Sequence, residues 1–311
     1  MMMLTGFVAL ALVAVVVESR GVVPSTGASK NAKTNTAKVQ DKTGLTAEDF
    51  ENAKKLTPAQ KYGTGEEKGM ENSNLFEGDI ANPGLNSSTI YRFMGQINPN
   101  DQGGNMRNAI KATYYRWPAN TIPYTIASTF TEPERAIIAD ALSDMMNKTC
   151  YKFVGRTNQT DYVNMVKGNG CSSYIGKVGK QQNFTLGNGC IYRHIIQHEM
   201  IHAMGLFHEQ SRADRDQYVE VLSQNVEDGK LHNFNKYDLN KIDHLGQPYD
   251  YYSIMHYQGT AFARSGTVSI RPVASAVGMG IKLERRREMS PIDIKKLNIM
   301  AGCPNFVAAS G

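Results

Sequence analysis

The spacing of hydrophobic and polar positions changes several times along the chain, and each change marks a candidate element. The first run, Leu4 to Val17, is apolar almost throughout and ends in Glu18-Ser19. It is shorter than the roughly 20 residues a membrane-spanning helix needs, and no basic cluster follows closely. It therefore predicts a secretory signal peptide over 1–19 rather than a membrane anchor. Residues 24–45, PSTGASKNAKTNTAKVQDKTGL, carry almost no large apolar side chain and predict a mobile linker without a core. TAEDFENAKKL, from Thr46, has the Thr46-x-x-Asp49 start of a short helix, and polar, glycine-containing sequence then continues to about Arg107.

From Tyr115 the pattern is that of a packed domain. TIPYTIAS (121–128) alternates enough apolar and β-branched residues for a strand, and Thr131-Glu132-Pro133-Glu134 supplies an N-cap with a capping-box glutamate. Ile137, Ile138, Ala141, Leu142 and Met145 recur at three- and four-residue intervals, which predicts a helix with one buried face running to about Cys150. A second helix is expected from Ile191 to Met204, apolar at Ile191, Ile195, Ile196 and Ile201 and ended by Gly205 in a left-handed cap. QYVEVL (217–222) reads as a strand. SPIDIKKLNIMAGC (290–303) reads as a third helix, with Ser290-Pro291 at its start and Ile292, Ile294, Leu297 and Ile299 or Met300 toward a core.

With 311 residues, 41% hydrophobic and 20% charged, the chain can bury one or two ordinary globular cores. The net charge of +5 is spread along the chain without the basic stripe interleaved with aromatics that nucleic-acid binders carry, so nucleic acid is not an expected partner. The one dense basic run, Arg285-Arg286-Arg287, reads by default as a solvated turn. In an exported chain the four cysteines, Cys150, Cys171, Cys190 and Cys303, predict disulfides rather than a structural zinc site, since no CxxC pair is present. Three pairings are open. Sequons at Asn86, Asn147, Asn158 and Asn183 agree with export.

The candidate chemistry lies in HEMIHAMGLFHEQ, residues 198–210, which holds three of the seven histidines in the chain. Residues four apart share a helix face, so His198 and His202 can point two imidazoles at one ion. His194 extends the row but lies about 12 Å from His202 along the axis, at about 1.5 Å per residue, and is expected to be a helix-face residue only. Gly205 can turn the chain back and bring His208 in as the third ligand. Three imidazoles with an open fourth position describe a catalytic zinc. Glu199, one step round the helix from His198, is placed as the general base that takes a proton from the metal's water and delivers it to a leaving amine.

The sequence HExxHxxGxxH is the metzincin signature. With Glu209 after the third histidine, Arg212-Ala213-Asp214-Arg215-Asp216 beyond it, and Tyr252-Ser253-Ile254-Met255-His256-Tyr257 matching an SxMHY turn, the stretch from about 108 to 303 resembles the astacin family. The resemblance implies that Met255 forms a hydrophobic base under the metal and that Tyr257 is a mobile ligand that swings away to stabilise the oxyanion. His256 is not expected to bind metal. It implies the pairings Cys150–Cys303 and Cys171–Cys190. Phe76-Glu77-Gly78-Asp79 resembles the FxGD motif of the family's propeptides, which implies that Asp79 occupies the metal position in a zymogen. Cleavage after Arg107 by an activating protease would make Asn108 the new N-terminus, whose ammonium group would bond through water to Glu209. Alignment with the family places Arg286 near the pocket for the residue after the scissile bond, favouring acidic side chains.

The expected architecture is therefore an α/β (α+β) fold with a metzincin-like catalytic domain. It comprises a mixed, mostly parallel, twisted five-stranded sheet, an active-site helix and a more irregular C-terminal subdomain. The expected organisation is signal peptide 1–19, propeptide 20–107, catalytic domain 108–303 and a short tail 304–311. The expected function is that of a secreted, extracellular, zymogenic zinc endopeptidase with one Zn2+ per subunit, acting on proteins or peptides.

Overall fold

The computed structural model describes residues 44–64, 75–85, 113–237 and 244–304. The signal peptide, almost all of the linker, the Arg107–Asn108 region and the sequon at Asn86 lie outside the described residues, as do residues 305–311 of the tail.

The expected mixed sheet is present. Its strands are β1 (Thr121–Ile126), β2 (Lys152–Gly155), β3 (Tyr162–Val166), β4 (Cys171–Ser172) and β5 (Gln181–Leu186), in the order β2-β1-β3-β5-β4. β1 pairs parallel with β2 and β3, and β3 parallel with β5; β4 runs antiparallel at the edge beside β5. The short helices α1 (Ala47–Ala53) and α2 (Pro58–Tyr62) precede the sheet, and the longer α3 (Glu132–Lys148) and α4 (Arg193–Met204) pack on it. The capping box of α3 forms as the sequence predicts, the Thr131 amide donating to Glu134 Oε2 at 2.7 Å. Its Ile138, Ala141, Leu142 and Met145 are fully buried in the core against β1, β3 and α4.

Two features of α3 differ from the periodic reading. Ile137 is only half-buried, and Arg135, Ala136 and Ala139 are buried on the opposite flank. The cause is α1, which packs on that flank: Arg135 donates to both oxygens of Asp49, at 3.1 and 2.8 Å, and to the Gly44 carbonyl. α2 adds Lys61 on Asp140 at 2.7 Å.

Helix α4 starts at Arg193, two residues later than the apolar pattern suggests, with Tyr192 at the cap. Every residue from His194 to Met204 is buried, so the helix runs through the interior. Gly205 ends it at φ 117°, its amide donating to the His202 and Ile201 carbonyls at 2.8 and 3.1 Å. The disulfides are Cys150–Cys303 and Cys171–Cys190, as the resemblance implies. The second ties the edge strand to the approach to α4.

Beyond Gly205 the chain is irregular. Short 3-10 turns, a two-stranded ribbon of β6 (Val219–Val221) and β7 (Ile270–Pro272), and the five-residue helix α5 (Ala274–Gly278) surround a small core of Val219, Phe234, Tyr257, Phe262 and Ile270. The final helix, α6 (Pro291–Ala301), has the predicted cap, the Asp293 amide donating to Ser290 Oγ at 2.8 Å. Its inward face is only partly the expected one, with Leu297 and Met300 in the core as read from the sequence. Ile292, Ile294 and Ile299 are half-buried, while Asp293, Lys296, Leu297, Asn298 and Met300 are buried. The charged pair Asp293 and Lys296 turns inward because both have partners there, described below. No helix among the described residues is long and apolar enough to cross a membrane, and Asn147, Asn158 and Asn183 of the remaining sequons are exposed.

Candidate active site

The site forms where α4 ends. His198 and His202 lie one turn apart on it, and the left-handed Gly205 turns the chain so that His208 returns beneath them. One nitrogen or oxygen from each of His198, His202, His208 and Asp79 falls within 4.8 Å of all the others, and all four residues are buried. His198 Nε2 and His208 Nε2 are 3.3 Å apart. That is the spacing, about 3.3 Å, of two ligands on a tetrahedral ion with bonds of about 2.0–2.1 Å. Asp79 Oδ2 lies 3.1 Å from both nitrogens, and its Oδ1 lies 3.5 Å from His202 Nε2. Asp79 Oδ1 and His202 Nε2 have no hydrogen-bond partner among the described residues. Buried, convergent and unsatisfied, these atoms fit a metal centre of three imidazoles and one carboxylate.

The outer ring nitrogens are all engaged. His198 Nδ1 donates to the Ile254 carbonyl at 2.6 Å, His202 Nδ1 to the Leu206 carbonyl at 2.7 Å, and His208 Nδ1 to Glu77 Oε2 at 2.7 Å. Each bond fixes the tautomer that leaves Nε2 free to ligate. His194 is absent from the cluster: it stacks on Tyr192 with centroids 6.2 Å apart and forms part of the cleft wall. His256 is also absent, its ring nitrogens taken by the Tyr249 hydroxyl at 2.6 Å and the Tyr257 carbonyl at 2.7 Å. Burial pushes the His256 imidazole down to about 4, so it stays neutral.

Glu199 is fully buried and neither carboxylate oxygen has a hydrogen-bond partner among the described residues. Burial, with the Asp79 charge added, raises it well above the ordinary carboxylate range. Burial acts on Asp79 in the same direction, but the surrounding histidines His208, His202 and His198 overcome it and hold Asp79 well below its usual value. The two buried carboxyls are thus pushed in opposite directions.

The turn beneath the histidines is held from α6. Asp293 accepts from Ser253 Oγ at 2.6 Å and from the Ile254 amide at 3.0 Å, which sets the carbonyl that fixes His198. Burial and nearby Asp250 push Asp293 up to about 6. Met255 is buried in the main core, and the Tyr257 hydroxyl donates to the Glu77 carbonyl at 2.7 Å. Glu209 is buried against Lys296 Nζ at 2.5 Å, Arg212 Nη1 at 3.0 Å and the Asp250 amide at 3.0 Å. Asn108, its expected partner, lies outside the described residues. Arg286 borders the cleft beside Arg285, its guanidinium 4.4 Å from the Tyr252 ring centroid and bonded to the Lys282 carbonyl at 2.9 Å.

The segment carrying Asp79 is added to the free edge of the sheet. Ile80 bridges Ser173 in parallel, the Ala81 amide donates to the Ser173 carbonyl at 2.8 Å, and the Ser173 amide donates to the Asp79 carbonyl at 3.0 Å. Reading the sequence missed Glu77, Tyr237, Asp293 and Lys296 as parts of the site. Only Asp293 had a local signal, as the third residue of a capping box.

Three comparisons bear on this arrangement. The profile of the Astacin peptidase family matches residues 109–301. The chain is 45% identical over 242 residues to zinc metalloproteinase nas-13 of Caenorhabditis elegans, covering 78% of this chain and 53% of that protein. It is 38% identical to zinc metalloproteinase nas-15 of the same organism, covering 84% and 46%. The chain thus spans about half the length of these curated relatives. Among solved structures, high choriolytic enzyme 1, a hatching enzyme zinc-protease from Oryzias latipes (medaka fish), aligns at a TM-score of 0.58 and 38% identity, covering 63% of this chain and all of that one. The signature histidines, the turn around Met255 and the matched span together leave one assignment: the chain belongs to the astacin family of zinc peptidases.

Proposed function

We propose that the chain is a secreted zinc endopeptidase made as a self-inhibited precursor. The observation that carries this reading is the buried cluster of His198, His202, His208 and Asp79, beside a buried Glu199 whose oxygens have no hydrogen-bond partner among the described residues. Zinc bound by the three histidines would polarise a peptide carbonyl and acidify water at the site. The remaining steps belong to the chain. Glu199 accepts the water's proton and passes it to the leaving amine. The Tyr257 hydroxyl, freed from the Glu77 carbonyl, donates to the developing oxyanion. The edge at Ser173, vacated by residues 79–81, takes an extended polypeptide as an added strand.

In the described arrangement the Asp79 carboxylate stands at the corner where water would bind, and its charge adds to burial in raising the Glu199 carboxyl. Both effects block turnover. Processing near Arg107 would free the segment, and the ammonium of Asn108 would join Lys296 and Arg212 at Glu209. Arg286 on the cleft wall supports a preference for an acidic residue after the scissile bond. Export is supported by the apolar run Leu4 to Val17, the two disulfides and the exposed sequons.

The test is cleavage-site profiling of a proteome-derived peptide library by the processed protein, beside a chelated sample and Glu199→Ala. Cleavage lost in both controls is expected. A processed, zinc-loaded protein that cuts nothing refutes the reading.

A further inference from the structure

Glu77 stands next to the metal site without belonging to it, and its surroundings are built for a carboxylate. Its Oε2 accepts from His208 Nδ1 at 2.7 Å; its Oε1 accepts from Ser211 Oγ at 2.7 Å and from the Tyr237 hydroxyl in a shorter bond. All four residues are 1% exposed or less. Burial, then the Glu77 charge, raises the Tyr237 phenol well above its ordinary value, so it remains a donor. Three donors from three points of the 208–237 stretch thus converge on one side chain from another part of the sequence.

The backbone is shaped to deliver that side chain. Glu77 has φ 48°, in the left-handed region that residues other than glycine seldom adopt, followed by Gly78 at φ 85°. Such a conformation persists where contacts over-determine it, and here the three hydrogen bonds do so. Around the pocket Phe76 lies 6.3 Å from the Tyr237 ring, and Phe207 packs on the far side of the cluster at 5.4 Å from Tyr237.

We propose that His208, Ser211 and Tyr237 form a carboxylate-binding subsite beside the metal, filled here by Glu77 and taken by an acidic side chain of a bound polypeptide once residues 75–85 leave the groove. The second occupant rests on the peptidase reading; the pocket itself does not. Because Glu77 is two residues from Asp79, the acidic residue falls at a fixed position other than the two flanking the scissile bond. This separates the subsite from the wall bordered by Arg286.

Two measurements test it. In the full-length, unprocessed chain, Glu77→Ala leaves the donors without their carboxylate. Sodium acetate should then raise the unfolding temperature in a saturable way that matched sodium chloride and acetamide do not reproduce. The unaltered chain and Glu77→Ala/Tyr237→Phe should show no such rise. A response to acetate no greater than to chloride overturns the pocket, whatever the protein's activity. In the processed protein, library cleavage should show Asp and Glu enriched several-fold at one position not flanking the cut. That enrichment should fall at least three-fold in Tyr237→Phe and in Ser211→Ala, while the preference directly after the cut persists. A profile with no such position, or one unchanged in both variants, overturns the substrate role. Absence of all cleavage, with the acetate response intact, counts against the peptidase reading and leaves the pocket standing.

Discussion

Replacing Glu209 by Gln tests whether the buried charge beside the third histidine is held mainly by α6. The Lys296 and Glu209 side chains are each 2% exposed and their charged atoms lie 2.5 Å apart. The amide keeps an oxygen for the Asp250 amide or for Arg212, and Arg212 retains Asp214 at 2.8 Å. Without Glu209, Lys296 keeps only the weaker electrostatic influence of Asp250 and Asp293. Removing one partner of a buried pair costs about 3–5 kcal/mol, because it leaves the other charge uncompensated. At about 2–4 °C per kcal/mol for a domain of this size, the unfolding temperature should fall by roughly 6–20 °C. The loss also has a sign in pH. Burial raises the Glu209 carboxyl, but Lys296 and Arg212 overcome it and hold the group below its ordinary value, so its contribution is full above the unfolded carboxylate value and is lost as pH falls through the lower folded value. The gap between the variant and the unaltered chain should therefore be full at pH 7 and close as pH falls below about 4. Thermal unfolding of the full chain at pH 7 and below pH 4 would measure this, with Lys296→Met/Glu209→Gln expected to recover part of the loss at pH 7. A Glu209→Gln chain within about 1 kcal/mol of the unaltered one at pH 7, or a gap that ignores pH, refutes the reasoning.

Three further outcomes follow from the same structure. Asp79→Ala in the full-length chain removes the carboxylate from the histidine cluster and the charge that adds to burial in raising Glu199, so under the proposed block unprocessed protein should cleave a fluorogenic peptide well above the unaltered background; equal rates would count against the block. The buried Arg135–Asp49 pair holds Asp49 below its ordinary value despite its burial, chiefly through the Arg135 hydrogen bond. Its contribution is therefore full above the unfolded carboxylate value of about 3.9 and disappears as pH falls through the lower folded value, so Asp49→Asn should destabilise at pH 6 and match the unaltered chain near pH 2. Opening Cys150–Cys303, which closes 153 residues, by paired serine substitution should cost about 5 kcal/mol, against about 3 for the 19-residue Cys171–Cys190 loop; urea midpoints would rank the two, and the reverse order would refute the chain-entropy account.

What was legible in the sequence is what local spacing controls. His198 and His202 one turn apart, Gly205 free to turn left-handed and His208 three residues on define a ligand set without any tertiary knowledge, because a helix and its cap place all three. The Thr131 and Ser290 caps are legible for the same reason. What failed were charges that turn inward. In α6 the pattern pointed Ile292, Ile294, Leu297 and Ile299 or Met300 at the core; Leu297 and Met300 are there, but Asp293 and Lys296 also take the interior because the Ser253 hydroxyl and Glu209 wait there. Arg135 reads as a solvated helix residue until α1, 86 residues earlier, supplies Asp49. Glu77 is the sharpest case. In FEGD it looks like the variable letter between Phe76 and the metal-facing Asp79, and only the fold brings Ser211 and Tyr237, 134 and 160 residues away, to its carboxylate. A buried charge is fixed by partners that sequence distance hides, whereas a metal site on one helix is fixed by its own periodicity. That difference explains why the histidine cluster could be located in advance while the buried contacts around it could not.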